Sequence, residues 1–367
     1  MSNIQKNNKP NVPNLRFPEF SGEWEKRKLA SIGKFFSGGT PTSSNKDYYD
    51  GEIPFIRSGE IHSDHTELSI SAIGYENSSA KMVSKGDLLL ALYGATSGDI
   101  AISRMSGAIN QAILCIRTTQ DQLFFKSVWE KHVKNILNTY LQGGQGNLSA
   151  DIVKNLFFYF PGIEEQRKIG RLIELIDQRI AIQNRIIEKY ESLIKAIRRR
   201  IFASIKANTY MRLGDIAPNI ASGKSKAAPG NITLFGSTGI IGTCGEAQYS
   251  GELILVARVG SVGHIQLIES EGCGISDNTI IINAGSRNRY VYYFLRTFDF
   301  AKITSGTTQP LITGSSLKEI EIPLLSEENS LTLVNCLMAL DKCISIEKNT
   351  QQKYIAMKKV LLADMFI

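Results

Sequence analysis

The second half of this chain repeats the first in the same order, and that limits its possible folds more than any single motif does. Lys28-Leu29-Ala30-Ser31-Ile32 returns as Arg212-Leu213-Gly214-Asp215-Ile216, and Gly86-Asp87-Leu88-Leu89-Leu90 returns as Gly251-Glu252-Leu253-Ile254-Leu255. Asn110-Gln111-Ala112-Ile113 has its echo in Asp277-Asn278-Thr279-Ile280. The ends match best. Phe160-Pro161 before Glu164-Glu165-Gln166 reappears as Ile322-Pro323 before Glu327-Glu328-Asn329, and Asp177, Ile180, Tyr190 and Phe202 return 164 residues later as Asp341, Ile344, Tyr354 and Phe366. One repeat is therefore a domain of about 160 residues or fewer followed by a helix of about 40.

Periodicity predicts the helices. Ile173, Ile180, Ile187, Ile194 and Ile201 recur every seven residues, and Ile169, Ile176, Gln183, Tyr190 and Ile197 fill the second seam position. This alternating spacing of four and three is that of a coiled-coil stripe. The second copy keeps Leu333, Leu337, Leu340, Ile344, Tyr354, Leu361 and Met365, with polar Glu347 and Gln351 in its middle. Forty residues make a helix of roughly 60 Å, too long merely to cover one domain. The expectation is two long helices, residues 163–206 and 326–367, whose stripes are packing seams; were they to pair antiparallel, Gln183 would face Gln351.

Between the helices the sequence predicts mixed α/β structure with many short strands. Asp87–Tyr93, Ile109–Ile116, Glu252–Val259 and Thr279–Ile282 are β-branched or aliphatic runs flanked by Gly, Ser or Asn. Short helices are expected around Phe124–Leu141 and Tyr290–Ile303. Glycine loops at Tyr93–Asp99 and Val259–His264 occupy matching places and serve either as tight turns or as ligand contacts. The expected fold is thus two α+β domains, residues 15–162 and 207–325, separated by two long helices, with an internal pseudo-two-fold repeat behind a flexible tail of residues 1–14.

Several function classes are disfavoured. The tail has no apolar stretch of secretory type, and no apolar run approaches the roughly 18 residues that cross a bilayer, so a cytoplasmic protein without membrane contact is expected. Five cysteines without Cys-x-x-Cys spacing suit neither a disulfide framework nor a zinc site. No phosphate-binding Gly-x-x-x-x-Gly-Lys-Ser/Thr, no Asn-Pro-Pro-Tyr or Asp-Pro-Pro-Tyr box and no His-Glu-x-x-His pattern occurs, so neither catalytic residues nor a metal site are expected. His62 and His65 share a polar loop but make a poor ligand set, and Glu164-Glu165 most simply complements a helix dipole.

The tandem repeat, the opening Asn14-Leu15-Arg16-Phe17-Pro18 ahead of Trp24, and the duplicated junction at Phe160-Pro161 and Ile322-Pro323 resemble type I restriction enzyme specificity subunits. The resemblance covers nearly the whole chain. It implies two target recognition domains on an antiparallel coiled coil, a non-catalytic role in sequence-specific binding of double-stranded DNA, and assembly with two methylation subunits and with restriction subunits. S-adenosylmethionine would be the cofactor of the methylation partner, with none in this chain. The chain departs from the pattern in its second domain, about 120 residues long and shorter than the first. The alternative is a protein-binding scaffold on a coiled coil without DNA specificity of its own.

Charge and side-chain chemistry give the candidate contacts. Lys and Arg outnumber Asp and Glu by 11 to 6 between residues 163 and 206, whereas residues 207–325 balance at 9 against 9. The basic helix is either a solvated face, or runs beside phosphates between two half-sites, or meets an acidic partner. Base reading needs donors and acceptors on polar loops. In the first domain these are Thr40, Ser43, Asn45, Lys46, Arg57, Tyr93, Thr96, Arg104, Gln142, Gln145 and Asn147. In the second they are Lys224, Ser225, Lys226, Arg258, Ser261, His264, Thr307, Thr308 and Gln309. Half-sites met on one face of the duplex would lie about one turn apart, roughly 34 Å.

Overall fold

The computed structural model describes residues 11–141, 147–205, 209–306 and 309–367. The chain divides into two compact units, residues 1–183 with 350–367, and residues 184–349. Each unit therefore holds one domain, part of the long helix Ile163–Ser204 and part of the long helix Glu327–Asp364.

In the first unit an antiparallel sheet orders Gly33–Ser37, Ile113–Thr118, Leu88–Ala91 and Ile100–Ile102. A second sheet orders Ser69–Ile70, Tyr49–Ile56, Gly107–Ile109 and Lys81–Val83, with Phe55 and Ile56 running parallel to Ala108 and Ile109. The run Ile109–Ile116, expected as one strand, is therefore two strands in two sheets. Asn110 breaks it: its side-chain oxygen accepts from the Ala112 amide at 3.1 Å, a local turn that redirects the chain. Glu25–Lys28 pairs with Phe157–Phe160 and closes the domain onto the helix that follows. Of the expected tail, residues 1–10 lie outside the described residues, and the Asn11 carbonyl accepts from Trp24 N at 2.8 Å.

The second unit builds one six-stranded sheet, in the order Ala221–Ser222, Thr279–Ile282, Tyr249–Ala257, Ile265–Ile275, Ile232–Gly236 and Gly239–Cys244. The helix expected over Tyr290–Ile303 is shorter, Asn288–Leu295, followed by a 3-10 turn at Phe300–Ile303. Thr297 Oγ1 bonds back to Phe294 O at 2.7 Å where the helix ends, and Asp299 caps the new turn through Ala301 N.

The long helices run antiparallel in both units. Ile169 and Ile173 share the first core with Leu361, Met365 and Phe366, and Phe202 shares the second with Val334 and Leu337. Ile169, Ile173, Ile176, Gln183, Ile187 and Ile194 are buried, but Tyr190 is exposed. Beyond Ile194 the buried positions are Arg198 and Phe202, one residue later than the half-buried Ile197 and Ile201. A helix of 3.6 residues per turn drifts off a strict seven-residue stripe, and the packing follows the drift. On the second helix Leu337 and Met365 are buried, while Leu333, Leu340, Ile344, Gln351, Tyr354 and Leu361 are half-buried. Among the described residues no helix is long and apolar enough to cross a membrane.

Aromatic rings anchor the helix ends. Phe366 lies 5.2 Å from Phe124 between ring centroids, and Trp24 lies 5.6 Å from Phe124. Phe202, the repeat equivalent of Phe366, lies 5.9 Å from Tyr290. A fragment of residues 1–206 lacks the segment that completes the first unit, but its own helix carries equivalents: Phe202 for Phe366, Ile201 for Met365, Ile197 for Leu361. The fragment is expected to sediment as a dimer at micromolar concentration. Phe202→Ala should shift it toward monomer, since emptying a buried phenylalanine site costs about 3–5 kcal/mol. A monomeric wild-type fragment would contradict this account of how the unit is completed.

Candidate nucleic-acid interface

The loops Tyr93–Asp99 and Val259–His264 are held by the same hydrogen bonds. In the first domain Leu92 N donates to Ala112 O, Ala91 N to Asp99 O, Gly98 N to Ala91 O, Asp99 N to Thr96 O, and Leu148 N to Leu92 O, all within 2.8–2.9 Å. In the second, Arg258 N donates to Asn278 O, Ala257 N to His264 O, Gly263 N to Ala257 O, His264 N to Ser261 O, and Ile312 N to Arg258 O, within 2.9–3.1 Å. Each loop thus caps the end of a central strand and is tied to a neighbouring strand and to a distant segment.

Glycine serves two purposes here. Gly94 and Gly98 have φ of 83° and 86°, and Gly260 and Gly263 have 71° and 78°, a backbone region that strains other residues. Gly94 and Gly260 face open space, whereas a β-carbon on Gly98 would lie 2.7 Å from Val133 Cγ2 and one on Gly263 2.9 Å from Phe300 Cβ. The buried Trp129 indole N–H donates to Gly98 O at 2.8 Å and fixes the first loop on its helix.

What lines the two cradles differs. In the first, Thr40 Oγ1 donates to Gln111 Oε1 at 2.6 Å and the Tyr93 hydroxyl donates to Gln111 O. Arg57, one residue past the strand that runs beside Gly107–Ile109, is clamped by Glu60 at 3.1 Å and Glu67 at 2.5 Å. Hydrogen bonds to these carboxylates raise the Arg57 pKa, and although burial disfavours the Glu60 carboxylate, Arg57 and two main-chain N–H groups hold its pKa below normal. In the second cradle the half-buried Arg258 donates through Nη1 to Ser222 Oγ at 3.1 Å, and Ser237 Oγ donates to Asn278 O at 3.0 Å.

The other candidates fall in different settings. Ser43, Asn45 and Lys46 lie on a separate turn, where Asn45 accepts from Asp47 N at 3.1 Å. Thr96 and Ser261 supply main-chain oxygens to the loops, and exposed Arg104 lines a groove of about 730 Å³ with His62 and Asp99. Asn147, Lys224, Lys226, His264 and Gln309 are exposed. Ser225 is buried, donating to Gln248 Oε1 at 2.8 Å and accepting from Ile275 N at 3.0 Å. Gln142, Gln145, Thr307 and Thr308 lie outside the described residues. Sequence reasoning did not select Gln111, Ser222, Ser237 or Asn278. For Gln111 and Asn278 a signal lay in the repeat, where Asn110-Gln111 echoes Asp277-Asn278, although in the hydrogen-bond frame Asn278 takes the place of Ala112.

Equivalent aspartates tie each domain to both long helices. Asp177 accepts from Lys126 at 3.0 Å and Lys358 at 2.6 Å, and the same two lysines reach Glu130 at 2.9 and 2.7 Å. Burial works against the Lys126 charge, but Glu130 and Asp177 outweigh it and raise its pKa. Asp341 pairs with Arg198 and with Arg296 at 3.2 Å, and accepts from the Tyr293 hydroxyl at 3.0 Å. No cluster of three or more His, Cys, Asp or Glu capable of holding a metal occurs among the described residues.

The family described as Type I restriction modification DNA specificity domain matches residues 21–192 and again 205–355. The chain belongs to this family. It is 26% identical over 181 residues to the Type I restriction enzyme MjaIX specificity subunit of Methanocaldococcus jannaschii, covering 46% of this chain and 41% of that protein. It is 25% identical over 135 residues to the HindI specificity subunit of Haemophilus influenzae, covering 35% and 29%. The alignments thus span less than half of either relative. A match to the MjaVIII specificity subunit of M. jannaschii extends over 95% of this chain and 92% of that one at 19% identity. The fold is that of the type I restriction-modification S subunit of M. genitalium, with a TM-score of 0.63 at 16% identity over 97% of this chain and 99% of that one. A chain solved for complex assembly and conformational transition of the type I R-M system superposes with 0.60, also at 16% identity, over 92% and 96%. Each of the two matches covers one β-rich domain together with most of the long helix that follows it.

Substitution should separate the two uses of glycine. Gly94→Ala is expected to cost about 1–2 kcal/mol for its left-handed backbone, and Gly98→Ala clearly more, because its β-carbon also meets Val133. Urea unfolding followed by tryptophan fluorescence reads the difference near Trp129. Equal losses would mean that the loop does not pack on the helix as described.

Proposed function

We propose that this chain is the DNA sequence-reading subunit of a type I restriction-modification system, in which residues 15–162 and 207–325 each recognise one part of a split, asymmetric target. The observation that carries this reading is the pair of cradles: one hydrogen-bonded frame, built twice, lined by different side chains. A conserved frame with variable lining suits recognition of two different base sequences by one architecture. The candidate contacts within it are Thr40, Arg57, Tyr93 and Thr96 on one side, and Arg258, Ser261 and His264 on the other.

Chemistry is assigned to partners. Two methylation subunits would bind S-adenosylmethionine and extrude an adenine for transfer, and restriction subunits would complete the nuclease, all in the cytoplasm. The long helices offer docking surface. Leu175, Ile182 and Leu193 on the first, and Leu331, Met338, Ile355 and Val360 on the second, are exposed large apolar residues outside the packed stripe. Lys195, Arg199 and Arg200 on the first helix are also exposed and suit phosphate contact between half-sites.

Two outcomes test this. Replacing residues 207–325 by the corresponding domain of another family member should change one half of the methylated motif, read by methylome sequencing, and leave the other half and the spacer intact. If both halves change, independent reading is wrong. Leu175→Asp with Ile182→Asp should weaken binding to the methylation subunit by tenfold or more, about 1.4 kcal/mol, in calorimetry, with circular dichroism unchanged. Undiminished affinity would remove the helix face as a docking surface.

A further inference from the structure

Within the shared hydrogen-bond frame, Arg258 is the position at which the second cradle carries an arginine and the first does not. It sits where the central strand Tyr249–Ala257 ends, and its counterpart in the shared hydrogen-bond frame is Leu92, which is buried and apolar. Arg212, Arg289 and Arg296 of the same unit are paired with Glu319, Glu252 and Asp341. Arg258 is held instead by a neutral hydroxyl, Ser222 Oγ. Its main chain is fixed on both sides, by Asn278 O and Ile312 N, and its Nε is buried without a hydrogen-bond partner. The residue as a whole is half-buried.

We propose that Arg258 reads guanine in the second part of the target and that the first domain has no arginine reader at the matching position. The inference rests on the proposed DNA-reading function. A guanidinium offers only donors, and guanine is the base whose major-groove edge presents two adjacent acceptors, N7 and O6, to a two-pronged donor. Cytosine and adenine place an amino donor on that edge, which repels the fork. A phosphate contact asks only for charge and tolerates a mobile side chain, whereas base discrimination requires a fixed one. Arg258 is fixed at its main chain and at Nη1, in a domain whose charges balance at 9 against 9 and which therefore lacks a broad phosphate-binding field. The first cradle has Leu92 at that position, beside the neutral Thr40, Tyr93 and Gln111, and its own Arg57 is held by Glu60 and Glu67. The two domains would thus differ in base preference through one position of a common frame.

The test uses the full chain expressed with its methylation subunits in a host that lacks them, with methylome sequencing of wild type, R258A and S222A. The wild-type motif should contain guanine in the part assigned to residues 207–325 by the domain exchange. R258A should make that one position degenerate, lowering its discrimination on the order of 10- to 100-fold, while the other half of the motif stays required, which itself shows that the complex is folded and assembled. S222A, which removes only the hydroxyl holding the guanidinium, should relax the same position partially and decides the matter if R258A does not assemble. An unchanged motif methylated uniformly more slowly in both variants would make Arg258 a phosphate contact and overturn the proposal. So would full retention of the guanine requirement, or a wild-type half without guanine. A wild-type complex that confers no sequence-specific methylation would remove the DNA-reading function itself.

Discussion

The structure depends on how each long helix ends. Phe366 closes the core built around Phe124 and Trp24, and Phe202 closes the one built around Tyr290. A buried phenylalanine stabilises by roughly 2–3 kcal/mol through its area alone, so each core is incomplete without a helix that began in the other repeat. The repeat cannot therefore be divided at residue 206 into two self-sufficient halves. Each compact unit instead draws on both long helices, and the antiparallel direction of the pair follows from that closure.

Charge reinforces the same arrangement at equivalent positions. Asp177 and Asp341 occupy matching places in the repeat, and each gathers one cation from its domain and one from the opposite long helix: Lys126 with Lys358, Arg296 with Arg198. The cations are not themselves equivalent in the repeat, so the acid is the constant element and different residues meet it in the two units. Partly buried pairs contribute less to stability than to geometry, because desolvation offsets much of their attraction. Their consequence is to fix the azimuth of the helices under the domains. That azimuth determines where the cradles sit on their own helices.

Within each domain the cradle separates frame from lining. The frame is main chain: five matching hydrogen bonds, two left-handed glycines, and a close approach of Gly98 to Val133 or of Gly263 to Phe300. None of these depends on side chains that could contact a ligand. The lining can therefore change from Leu92 to Arg258 without loss of the frame.

The sequence by itself determined the tandem architecture, the two long helices and the class of the packed stripe, because repeats and helical periodicity are local and survive as spacing. It also located the two glycine loops, since their place relative to Gly86-Asp87 and Gly251-Glu252 repeats. It read the Ile109–Ile116 run as one strand because apolar character continues across Asn110, whereas a single side-chain bond to Ala112 N sends the two ends to different sheets. Only the tertiary structure decided that Ser225 is consumed inside the core while Arg258 is held ready at its edge, and that Gln111 joins Thr40 and Tyr93. The reason is physical: the frame joins strands and loops separated by as many as 56 residues, as between Leu92 and Leu148. Which polar side chains emerge beside it is fixed by packing across those distances, and no local pattern of residue types encodes it.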